Sequence, residues 1–122
     1  MIGPAGPNDA AMFDIDDTLI FTNGSPNVPI IHLLHRMKAL GYKIIIITAR
    51  PGLEIAVQWT MKQLASHGIV YDYLGFTSAH TKTDMKRRLG YRFILSVGDM
   101  PTDWTDSKYY INTSSSYRIG GR

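Results

Sequence analysis

Two aspartates, Asp14 and Asp16, stand two residues apart at the end of the apolar run Ala10–Ile15, with Asp17 and Thr18 directly behind them. On a continuing strand both side chains of such a pair face the same way. Carboxylates crowded in that manner repel, and a hard divalent cation with oxygen ligands is the usual remedy. Asp99, after the apolar run Phe93–Val97, would add a carboxylate from a neighbouring strand, and Asp103 follows four residues on. An all-oxygen donor set suits Mg²⁺, whereas the lack of cysteine and of converging histidines argues against zinc. Thr48, closing the run KIIIIT, offers a hydroxyl, and Lys82 offers an ammonium. Beside a metal-bound carboxylate these can hold the remaining oxygens of a phosphoryl group, which is the positioning and charge stabilisation that phosphoryl transfer requires.

Taken singly, each residue has a plainer account. A D-x-D at a strand end is often a turn or capping pair, and Thr48 could cap the helix after it. Lys82 could be one more solvated lysine near Lys86, Arg87, Arg88 and Arg92, and Asp99 and Asp103 a turn acid and a helix cap. Their joint occurrence, each at a strand end, favours the chemical reading.

The elements that must position these groups alternate. Strands are expected over Ala10–Ile15, Lys43–Thr48, Tyr73–Thr77 and Phe93–Val97, with a short fifth over Tyr109–Ile111. The β-branched run of Lys43–Thr48, without polar alternation, reads as a central parallel strand covered on both faces. Ile30, Leu33, Leu34, Met37 and Leu40 fall at helical spacing with Gly41 behind them. Leu53–His67, closed by Gly68, and Lys82–Leu89 read as two more helices. Strict alternation implies βαβ units and right-handed crossovers. The fold expected is therefore a three-layer, Rossmann-like α/β fold with a central parallel sheet of about five strands and no cap domain. In such sheets ligands bind beyond the carboxyl ends of the strands.

Composition bounds the rest. The chain has 122 residues, 44% hydrophobic and 19% charged, enough for one domain. Residues 1–9 and 113–122, rich in Gly, Pro or Ser, are expected to be a flexible arm and tail around a core of residues 10–112. No cysteine means no disulfide framework and no thiol nucleophile. No apolar run approaches a membrane span, and the N-terminus lacks the features of a signal peptide, so a cytoplasmic location is expected. The net charge of +3 fits an anionic ligand without pointing to nucleic acid by itself.

These motifs resemble the haloacid dehalogenase superfamily of Mg²⁺-dependent phosphohydrolases: MFDIDDT (Met12–Thr18), IIIIT (Ile44–Thr48), Lys82 and GDMPTD (Gly98–Asp103) stand in the family's order. In detail the sequence is most similar to the class B acid-phosphatase branch, through FDIDDTLIF, TARP with Ala49 where Gly is common, and the stretch from Lys82 through GYR to GDMPTDW. The resemblance implies that Asp14 is the nucleophile, forming an aspartyl-phosphate, and that Asp16 is the general acid and base. It implies a Mg²⁺ held by Asp14, the main-chain carbonyl of Asp16 and Asp99. Thr48, Ala49 and Lys82 would bind phosphate oxygens, with Asp103 orienting Lys82 or a metal-bound water. Thr18 would brace the Asp14 loop. Family spacing favours Lys82 over Lys86 as the functional lysine.

The intervals from Thr18 to the helix near Ile30 and from Thr48 to Lys82 leave no room for a cap. An open site would admit bulky phosphorylated substrates, such as a phosphoprotein segment or a nucleic-acid end, unless a second subunit covers it. Arg50 is a candidate for specificity, though it could instead pair with a carboxylate. The run Lys86, Arg87, Arg88 and Arg92 reads as a solvated helix face. His32 and His35 lie far from the acids, while His80 could border the site. Trp59 reads as core or subunit interface, and Trp104 as packing beside the acidic loop. Two other classes of function remain open, a receiver-like signalling domain and a catalytically retired module that binds phosphate or a partner.

Overall fold

The computed structural model describes residues 2–114 and 118–121. Strands β1 (Asp9–Phe13), β2 (Lys43–Thr48), β3 (Tyr73–Phe76), β4 (Arg92–Gly98) and β5 (Ser107–Asn112) pair in parallel, and β6 (Arg118–Gly121) adds antiparallel to β5. The order across the sheet is β3-β2-β1-β4-β5-β6. Helices α1 (Val28–Ala39), α2 (Glu54–Ser66), α3 (Lys82–Leu89) and the single turn α4 (Pro101–Trp104) make the crossovers.

Period-two alternation divides the core between the two faces of the sheet. Ala11, Phe13, Ile44 and Ile46 pack with Ile30, Leu34 and Met37 of α1 and Leu64 of α2. Ala10, Met12, Ile45, Ile47 and Phe93 form the other layer, against Met85 and Leu89 of α3. This is why KIIIIT shows no polar alternation: each isoleucine is fully buried, on one face or the other. Each such burial contributes about 1.5–3 kcal/mol. Pro29 opens α1, where its missing N–H costs nothing, and Gly90 closes α3 at φ 73° with its N–H on the Lys86 carbonyl. The five parallel strands and the three-layer architecture are those expected from the sequence, and no cap is seen among the described residues.

Both ends of the chain depart from the expected loose segments. The arm is tied down: the Ala5 N–H bonds to the Leu40 carbonyl, the Tyr42 hydroxyl donates to the Gly3 carbonyl, and Asn8 bridges to Gly90 and Arg92. At the other end residues 118–121 pair as β6, where the Gly- and Ser-rich composition suggested no element; the rest of that tail beyond Ser114 lies outside the described residues. Edge pairing needs main-chain groups alone, and so leaves little trace in side-chain pattern. Among the described residues no helix is long and apolar enough to cross a membrane.

Candidate active site

Asp14 is the first residue beyond β1, and its N–H bonds to the Val97 carbonyl of β4. Asp99 is the first residue beyond β4, so the parallel pairing of these two central strands carries both acids to one edge. There Asp14, Asp99 and Asp103 each offer a carboxylate oxygen within 4.8 Å of the others. Lys82, the first residue of α3, donates to Asp14 Oδ1 at 2.9 Å and to Asp103 Oδ1 at 2.8 Å. The lysine is 1% exposed and Asp103 fully buried. Asp103 also accepts the Met100 N–H, which fixes its carboxylate under the turn.

The electrostatics follow from this burial. Desolvation pushes the Asp14 carboxyl well above its ordinary range, Asp103 and the adjoining Asp99 reinforcing the shift and Lys82 opposing it. Burial likewise raises Asp103 against the pull of Lys82. For Lys82 desolvation works toward the neutral form, but Asp14 and Asp103 outweigh it and hold the ammonium above its usual range. Three carboxylates thus meet one ammonium in a poorly hydrated edge. The donor set is all oxygen and carries excess negative charge, which fits a hard divalent cation such as Mg²⁺.

Of the acids expected around a cation, Asp14 and Asp99 lie in this cluster. The Asp16 carboxylate does not: it points to Arg50, which binds it through Nε at 3.0 Å and Nη2 at 2.8 Å. Asp103 takes the third place. Arg50 is in turn held by Thr60 Oγ1 at 3.2 Å and Gln63 Oε1 at 2.8 Å, and its guanidinium lies 5.2 Å from the Trp59 ring centroid. Trp59 is 60% exposed, not core, and with Phe21, Asn23, Pro51 and Gln63 it lines an open cavity of about 480 Å³ beside Asp16.

Thr48 is buried at the end of β2 and accepts the Arg50 N–H, so it caps this loop and not a helix; Ala49 follows, exposed. Thr18 is fully buried in the turn after Asp16, its carbonyl accepting from Asn27 and its hydroxyl paired with Thr113 at the end of β5. That bond ties the turn after Asp14 to the residue that follows β5. His80 is exposed on the turn before α3, and His35 is bonded to the Gly68 carbonyl. Trp104 packs on Tyr110 at 5.0 Å and donates to the Gly98 carbonyl.

Lys86 departs from its expected place. Arg87 and Arg88 are exposed on α3, as a solvated face requires, but Lys86 is 1% exposed. It lies one turn after Lys82 on the same side of the helix, an i, i+4 relation visible in the sequence but there read as competition for one role.

A family model of haloacid dehalogenase-like hydrolases matches residues 11–75, more than half of the chain, and the protein belongs to that family. The matched stretch carries Asp14, Asp16 and Thr48, while Lys82, Asp99 and Asp103 lie beyond it. No curated protein sequence matches the chain. Among solved structures it is similar to a chain from "Structure of Pnkp1/Rnl/Hen1 complex", with a TM-score of 0.66 and 22% identity. That likeness covers 84% of this chain and 42% of the other, and it concerns the fold.

Proposed function

We propose that this protein is a Mg²⁺-dependent phosphomonoester hydrolase that works through an aspartyl-phosphate. The observation that carries the reading is the Lys82 ammonium bridging Asp14 Oδ1 and Asp103 Oδ1, with Asp99 alongside, at the carboxyl edge of the sheet. Asp14 attacks phosphorus with a carboxylate oxygen, and the ester oxygen leaves with a proton from Asp16. Water then attacks phosphorus of the acyl phosphate and gives a proton to Asp16, while the P–O bond to Asp14 breaks, releasing inorganic phosphate and restoring the Asp14 carboxylate. Lys82 and Thr48, with the backbone at Ala49, bind the free phosphoryl oxygens, and Asp103 orients Lys82. Asp14, Asp99 and the main-chain carbonyl of Asp16 would hold Mg²⁺, which when bound neutralises the carboxylates and the charge on the phosphoryl group.

The leaving group would lie in the open cavity beside Asp16. Among the described residues no cap covers that cavity, which supports phosphorylated substrates of some bulk, a phosphoprotein segment or a nucleic-acid end among them. The deciding experiment is steady turnover of an aryl phosphate, dependent on Mg²⁺ and abolished in Asp14→Asn, with acid-stable trapping of one phosphate on Asp14. A single stoichiometric phosphorylation without turnover would instead make the domain receiver-like, and silence in both assays would make it a binding module.

A further inference from the structure

An ammonium removed from water costs several kcal/mol unless every proton finds a partner. Lys86 meets that cost through neutral acceptors. Its three protons are shared among four oxygens within hydrogen-bond reach of Nζ: Ser96 Oγ of β4 and Ser107 Oγ of β5, each at 2.9 Å, and the main-chain carbonyls of Asp103 at 3.0 Å and Thr105 at 2.5 Å. The Phe93 ring closes the remaining side, its centroid 5.0 Å from Nζ. Burial presses the group's pKa down to about 8, with Asp103 and Asp106 resisting.

The acceptors are what give this lysine a role beyond filling space. Two belong to the segment that follows Gly98, the same segment that bears Asp99 and Asp103. Asp103 is held from two sides by one helix: its carboxylate by Lys82, its carbonyl by Lys86 one turn later. The hydroxyls of Ser96 and Ser107 anchor the same ammonium to the paired strands beneath, so the loop is pinned to the sheet through a single atom.

We propose that Lys86 is a positioning residue, whose ammonium fixes the acidic loop so that Asp99 and Asp103 present their carboxylates beside Asp14. The role rests on the reading of that cluster as a divalent-cation and phosphate site. A purely structural lysine would affect stability alone, whereas a positioning lysine also sets the affinity of the site.

Lys86→Ala removes a fragment with the shape of n-propylammonium and leaves four acceptors facing the gap. The full chain is titrated with Mn²⁺, read by electron paramagnetic resonance of the free ion, and its thermal midpoint is measured with and without added n-propylammonium. The variant is expected to bind Mn²⁺ roughly ten- to hundredfold more weakly, with both affinity and midpoint recovering as n-propylammonium is added. Ser107→Ala, which deletes one acceptor, is expected to show a smaller loss of the same kind and carries the test if Lys86→Ala does not fold. Unchanged Mn²⁺ affinity beside a lowered midpoint, in whichever variant folds, overturns the proposal. A wild-type chain that binds Mn²⁺ but hydrolyses no phosphomonoester defeats the phosphatase reading alone, because the binding titration still decides the role of Lys86.

Discussion

Arg50 holds Asp16 by both carboxylate oxygens, and Arg50 is itself held by Thr60 and Gln63. The pair aims the proposed acid at the cavity beside α2 and away from the cluster of Asp14, Asp99 and Asp103. Half of the Asp16 side chain is in solvent, so the ion pair contributes little to stability. Its consequence lies in orientation. Arg50→Ala is expected to lower kcat roughly ten- to hundredfold through a misplaced acid, with the melting temperature nearly unchanged. Arg50→Lys should not restore the rate, since a point ammonium cannot make the two-point contact. A rise in kcat for Arg50→Ala would show that the pair holds Asp16 out of the reaction.

Lys82 is the sole ammonium paired with the carboxylates of Asp14 and Asp103 among the described residues. Lys82→Met leaves those carboxylates buried without their counter-charge, a change of the kind that costs about 3–5 kcal/mol. The same excess of negative charge strengthens attraction for a divalent cation. The variant is therefore expected to melt lower than the wild type, to gain more in melting temperature from added Mg²⁺, and to turn over no substrate. Scanning calorimetry with and without Mg²⁺ checks this, and equal Mg²⁺ shifts in the two proteins would contradict it.

The motifs were legible in the sequence because a parallel sheet sends the residues after each strand to one edge, so spacing along the chain already implied proximity for Asp14, Lys82 and Asp99. Facing directions were less legible. The D-x-D pattern suggested two carboxylates at one ion, yet the chain leaves β1 at Phe13 and turns at Asp17, where φ is 58°, so strand alternation no longer governs Asp16. Lys86 sat within a basic run and read as solvated, since its acceptors are two serines and two carbonyls with no charge pattern to betray them. Strand β6 was hidden for a related reason: its pairing with β5 is made by main chain.

Asp72 gives a pH signature separate from the site. Its carboxylate accepts the Ile44 N–H at 2.8 Å and the Lys38 ammonium at 2.9 and 3.0 Å, joining α1, the start of β2 and the loop before β3. Burial tends to raise its pKa, but the Ile44 N–H and Lys38 outweigh it and the net shift is downward. A carboxyl whose folded pKa is depressed adds stability above its unfolded value, near pH 4, and loses it as pH falls through the folded value. The wild type should therefore exceed Asp72→Asn in stability at pH 7, with the gap closing below about pH 4. Denaturant unfolding of both proteins across that range measures it, and a gap that persists undiminished to about pH 2 would exclude the carboxylate charge as its source.

Gly98 ends β4 immediately under the acidic turn, and its absent side chain is what lets Asp103 lie where it does. A Cβ at this position would stand 2.3 Å from Asp103 Oδ2, 2.5 Å from its Cγ and 2.6 Å from its Cβ. Asp103 cannot give way cheaply, because Lys82 and the Met100 N–H hold its carboxylate and Lys86 holds its carbonyl. Gly75 presents a contrasting case, as the closest atom to its built Cβ is the Met85 sulfur, near the end of a flexible side chain. Gly98→Ala is accordingly expected to destabilise the protein by about 1–3 kcal/mol through overpacking and to reduce turnover beyond what the lost stability explains, because the clash moves the residue that orients Lys82. Measuring kcat well below the melting transition separates the two effects. Wild-type kcat in a folded Gly98→Ala protein would mean that Asp103 need not hold its present position for the reaction.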